Sequence, residues 1–176
     1  MKISKLLLAL FLTVPFPLLA EDGKDLFAAA ATGKLDRVQA LLAQGIDVNS
    51  KIEQDRTPLM VACFNGNLRI VKILLGYGAD VNIADKFGST ALSDAVLFGN
   101  AEIVKLLIIA GANVNASDSQ GVRIIDKAKK LDRENITKLL EEAGAKSAPA
   151  NETPKESTET DSTPKEQQPA EENPKP

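Results

Sequence analysis

The residues able to do covalent or proton-transfer chemistry are few. The 176-residue chain contains no histidine and a single cysteine, Cys63. Without histidine there is no ordinary general base near neutral pH, no common imidazole metal ligand and no histidine-dependent triad. One cysteine makes neither an internal disulfide nor a four-cysteine zinc site. No glycine-rich phosphate loop is present, and the carboxylates form no evident pair across a cleft. These absences predict a protein that is not an enzyme and carries no cofactor or metal. What remains is recognition. The apolar anchors available for it are scarce, since the chain has six phenylalanines, one tyrosine and no tryptophan, and Phe11 and Phe16 lie in the first 20 residues.

Charge gives no hint of a polyanion partner. The net charge is −3. Residues 21–146 are nearly neutral, with 16 basic against 17 acidic residues, and most of the excess acid lies after them. A nucleic-acid binder would show a basic stripe; none is visible, so no nucleic-acid partner is expected.

The elements that position the remaining side chains follow from an internal period. Gly45, Gly78, Gly111 and Gly144 recur every 33 residues. So do Val48, Val81 and Val114, the Asn49, Asn82 and Asn115 set, and the Gly33, Gly66 and Gly99 set. Leu41, Leu74, Leu107 and Leu140 form another series, as do Ala29, Ala62, Ala95 and Ala128. Many series sharing one period mark a repeat array. Within a unit, Thr57-Pro58 starts a helix, because threonine caps orphan amides and proline suits the first helical position. Ala62-Cys63 are small enough for close helix packing, which makes Cys63 a packed, inert thiol. Gly66 and Gly99 end that helix. Asn67 or Asn100 can cap a second one, whose apolar stripe is Ile70-Val71 and Ile73-Leu74-Leu75. A two-helix unit cannot bury its apolar face alone; stacked copies can.

Thr57-Pro58-Leu59, Gly78-Ala79-Asp80-Val81-Asn82 and Gly111-Ala112-Asn113-Val114-Asn115 resemble the most characteristic segments of the ankyrin-repeat family. The resemblance covers about residues 22–146. It implies an all-α solenoid of four stacked helix–turn–helix units, at about 22–51, 52–84, 85–117 and 118–146, with short β-turn fingers. The outer units read as caps, the last made polar by Lys127, Lys129, Lys130, Asp132, Arg133 and Glu134. Met60 and Ser93 stand where the family usually has histidine. Asp55 replaces the turn glycine found at Gly88 and Gly121, so the second finger is expected to be distorted.

The resemblance also implies protein–protein binding through the fingers and the exposed side of the first helix of each unit. Carried over by position, the surface is Glu53, Gln54, Arg56, Phe64 and Asn65 in the second unit. It continues with Lys86, Phe87, Ser89, Leu97 and Phe98 in the third, and Ser119, Gln120 and Val122 in the fourth. Phe87, at a finger tip, is the strongest anchor; Phe64 and Phe98 are equally consistent with core. Asp94, at an inner-helix position, could bind a basic group of a partner but reads first as a solvated carboxylate, and Tyr77 reads as structural.

The ends have a different character. Lys2 and Lys5, an apolar run from Leu6 to Val14, and Leu18-Leu19-Ala20 have the layout of a secretory signal over residues 1–20, cleaved after Ala20. Pro15 and Pro17 argue against a spanning helix, so no stable membrane insertion is expected after cleavage. Residues 147–176, rich in Pro, Glu, Thr and Lys, contain Thr153-Pro154-Lys155-Glu156 again as Thr163-Pro164-Lys165-Glu166. Such a composition predicts a disordered tail. The expectation is an exported, periplasmic monomer that binds a protein partner, such as an enzyme it restrains or protects. The alternative is a secreted effector acting on host-cell proteins.

Overall fold

A computed structural model of the chain describes residues 23–147. The signal segment expected over residues 1–20 and the tail from residue 148 lie outside the described residues. Eight helices are present among those described: α1 (Gly23–Ala31), α2 (Leu35–Ala43), α3 (Pro58–Phe64), α4 (Leu68–Gly76), α5 (Ala91–Phe98), α6 (Ala101–Ile109), α7 (Ile124–Lys130) and α8 (Glu134–Glu142). Consecutive helices pair as four units. The first helices α1, α3, α5 and α7 contact one another in that order, and α2, α4, α6 and α8 do likewise. Two parallel layers of helices result, as the 33-residue period predicts. None of these helices is long and apolar enough to cross a membrane.

The core lies between the layers and runs the length of the array. The repeated positions fill it: Leu41, Leu74, Leu107 and Leu140 are all fully buried, as are Ala62, Ala95 and Ala128. Cys63 is equally buried, and burial, with the charge of Asp94 nearby, pushes its thiol far above the usual range. Thr57 accepts a hydrogen bond from the Met60 amide at 3.3 Å, and Thr90 from the Ser93 amide at 3.4 Å. The N-caps thus survive without the family's histidine. Asn100 caps α6 through the amides of Glu102 and Ile103, whereas Asn67 caps nothing. Its side chain instead donates to the Ala30 carbonyl of the preceding unit.

The units are tied together along two edges. On the loop edge, the repeated asparagines reach into the next unit. Asn49 accepts from the Asp80 amide and Asn82 from the Asn113 amide, each at 2.8 Å, and Asn115 accepts from the Lys146 amide at 2.9 Å. Asn82 and Asn115 also donate to the carbonyls of Gly111 and Gly144. On the finger edge the bonds are between backbones: the Lys86 amide donates to the Gln54 carbonyl and the Ser119 amide to the Phe87 carbonyl.

Candidate protein-binding surface

Each finger closes with one backbone bond of the same register, from the amide of Ile52, Asp85 or Asp118 to the carbonyl of Arg56, Ser89 or Val122. In the third and fourth fingers the aspartate at the base organises the tip. Asp85 Oδ1 accepts from the amides of Phe87 and Ser89, and Asp118 Oδ1 from those of Gln120 and Val122. The tip glycine is required by geometry: a Cβ on Gly88, whose φ is +73°, would sit 2.8 Å from the Ser119 backbone nitrogen. The second finger has Ile52 at the base and Asp55 at the tip. It lacks the organising carboxylate and forms a short 3-10 turn, Glu53–Asp55, with Gln54 and Asp55 both at a φ of 61°. The distortion expected from Asp55 is therefore present, and Ile52, standing where the other fingers have Asp85 and Asp118, removes the side-chain acceptor that orders their tips.

Under the fingers runs a line of charge that sequence reasoning missed. Arg56 turns inward from the second finger. Its Nη1 lies 3.1 Å from Asp85 Oδ2 and its Nη2 lies 2.9 Å from Asp94 Oδ2. Asp94 is 2% exposed, which corrects the expectation of a solvated carboxylate. Burial raises its pKa from 3.8 to about 6, the Arg56 charge and hydrogen bond pulling the other way, with Asp85 repelling and Lys127 attracting more weakly. Further along, Lys127 Nζ lies 2.7 Å from Asp118 Oδ2, and both side chains are mostly covered. Lys127 is therefore not part of the polar outer face of the cap. Burial works against the Asp118 carboxylate, but Lys127 and the amides of Val122 and Gln120 hold it below its ordinary range. The signal for Asp94 was available. It occupies the position of Val61 in the preceding unit, a buried inner-helix site, and a charge there demands a partner.

The structure gathers part of the expected surface into one groove of about 590 Å³ between the second and third fingers and helices α3 and α5. Glu53, Gln54, Arg56, Phe64, Phe87, Ser89 and Leu97 line it, together with Ile52, Asp85 and Asp94. Phe64 is 50% exposed, Phe87 54% and Leu97 40%. Phe64 is thus a surface ring and not core. The remaining expected residues are placed elsewhere. Asn65 clamps the preceding unit by donating to the Ala31 carbonyl at 2.9 Å. Phe98 is half-exposed but lies over Gly66, where an added Cβ would overlap its ring. Lys86 is exposed at a finger tip, and Ser119 and Gln120 are exposed in the fourth finger, where Val122 is half-buried. Tyr77 stands exposed on the loop side, between two glycines.

This surface is rich in shape and poor in reactive groups. Among the described residues no cluster of three or more His, Cys, Asp or Glu is placed to hold a metal ion. The thiol of Cys63 is covered and held protonated. What the finger face offers is two phenylalanine rings and a leucine around a charged floor, the arrangement of a hot spot.

No curated protein matches the chain. The family model for ankyrin repeats in three copies matches residues 26–118, more than half of the sequence and the span that holds the second and third fingers, helices α2 to α6 and the groove. With the paired helices, the fingers and the two bonded edges, that match places the chain in the ankyrin-repeat family, whose members are generally protein–protein interaction modules.

Proposed function

We propose that this chain is an exported binding module that docks onto another periplasmic or envelope protein and restrains or protects it, in the manner of an inhibitor or immunity protein. The observation that carries the binding role is the groove. Phe64, Phe87 and Leu97 each expose about half of their surface around one concavity, where covering the exposed half against a partner would contribute about 1 kcal/mol for each side chain, half of what full burial of an exposed one gives. The export half of the reading rests on residues 1–20, with their basic start, apolar run and small final residue. The function is binding without catalysis, the partner is a protein, and the chain acts as a monomer.

Capture from a periplasmic extract by immobilised protein, with Phe87→Ala and Phe64→Ala beside the wild type, tests the surface. Both rings project outward, so the variants keep the fold while losing contact area. A partner retained equally by all three proteins removes the groove from the binding site. Cell fractionation tests export: recovery of the unprocessed chain with cytoplasmic markers would overturn that half.

A further inference from the structure

The chemistry of the partner can be narrowed, on the footing of the binding role just proposed. The rim of the groove is apolar, but its floor is not. Among its lining residues Arg56 is the single base, against Glu53, Asp85 and Asp94, so the groove is net acidic. The two floor aspartates are unequally served. Asp85 has both oxygens engaged, Oδ1 by two amides and Oδ2 by Arg56. Asp94 is met only through Oδ2, by Arg56; among the described residues nothing donates to its Oδ1. A covered carboxylate oxygen without a donor is costly, and an incoming donor relieves that cost.

We infer that the groove takes the arginine side chain of an extended basic segment on the partner, its stem along Phe64 and Phe87 and its guanidinium donating to Asp94. A guanidinium suits this place better than an ammonium, because it stacks on aromatic faces and is more weakly hydrated. The chain's own C-terminal segment does not fit: residues 148–176 hold no arginine, and three lysines against seven acids, so an acidic groove repels them. The groups facing Asp94 are Arg56 from the second finger, Asp85 from the third, Lys127 on α7 and the neutral thiol Cys63 on α3. With Asp94 titrating at about 6, arginine binding tightens as pH rises through that value and weakens below it.

The test is an NMR titration of the isotope-labelled full chain with an acetylated, amidated alanine pentapeptide carrying arginine at its centre. Peptides with norleucine or glutamate in that place serve as controls. The expected result is a saturable shift of the Phe64, Phe87, Ser89, Asp94 and Leu97 amides with the arginine peptide alone, weakened by about tenfold or more in Asp94→Asn, as befits loss of a charge-assisted hydrogen bond, and by about twofold to fivefold in Phe87→Ala, as befits loss of an exposed aromatic contact. Equal binding of the norleucine peptide overturns the inference, as do shifts confined to acidic residues after Ser147 or no saturable shift at all. If Phe87→Ala abolishes partner capture while the arginine peptide fails to bind, the arginine assignment falls and the binding role stands. If the peptide binds but capture ignores Phe87, the binding role falls instead.

Discussion

Removing Arg56 should destabilise the array more than its place on a finger suggests, and the loss should depend on pH in a specified direction. The guanidinium is the only hydrogen-bond partner of the Asp94 carboxylate among the described residues, and one of the partners of the Asp85 carboxylate. Arg56→Ala leaves two carboxylates, 2% and 7% exposed, without their counter-charge. Breaking a buried pair from one side costs about 3–5 kcal/mol. Arg56 keeps some water, with its side chain 21% exposed, so the lower end, about 3 kcal/mol, is the expectation near neutral pH. Asp94 already binds its proton more tightly in the folded chain, at about 6 against 3.8. The folded state therefore holds more protons than the unfolded state between those values, and this group's contribution to stability falls as pH rises through that window. Two units correspond to about 3 kcal/mol over the whole window. Without Arg56 the folded pKa climbs further, so the variant regains stability on acidification as Asp94 becomes neutral. Urea unfolding followed by circular dichroism, at about pH 7.5 and about pH 5, gives the two differences directly. In an Asp94→Asn background Arg56→Ala should cost less, retaining only the share due to Asp85. A loss below about 1 kcal/mol at the higher pH, or an equal loss at both, would refute the account of a buried, under-compensated carboxylate.

Three further outcomes follow from the same geometry. Asn82→Ala removes a bond accepted from Asn113 and one donated to Gly111; a loss of about 1–2 kcal/mol in urea unfolding is expected despite the exposed position. Asp132 occupies the turn position of Gly33, Gly66 and Gly99 and carries the same left-handed backbone, with a φ of 53°. Asp132→Gly should therefore stabilise the chain by about 0.5–1 kcal/mol, read as a rise in the unfolding midpoint. Cys63 is fully buried with its thiol held protonated, so iodoacetamide should leave it untouched in the native protein and label it only under unfolding conditions; rapid native labelling would contradict that placement.

The repeated residues were legible because repetition reports structure. Leucines and alanines at the same place in every unit occupy the core, where one packing solution serves each copy, and this was enough to place the helix pairs and their order. The exposure of Phe87 was legible for the complementary reason, a large ring at a position free of a packing duty, whereas Phe64 read equally as surface or core until the stacking left it half-exposed. The buried charges were harder to see. Arg56 aligns with Ser89 and Val122, and Asp94 with Val61 and Lys127, so each looks like a private substitution within its own unit. Only the stacking of one unit on the next brings Arg56 to Asp94, 38 residues away. Asn49, Asn82 and Asn115 show the opposite case. Their period was plain, yet nothing in a single unit reveals that their partners are amides in the following one.

Those two kinds of tie give the array a grammar. The asparagine and finger bonds read only main-chain atoms of the neighbour, so they accept any unit of the right shape. On that account an internal unit could be duplicated or exchanged without breaking either edge. The Arg56 contact reads side chains, Asp85 and Asp94, that belong to one particular neighbour. It is a word with a fixed successor, specifying that the third unit follows the second in a sequence of otherwise interchangeable parts.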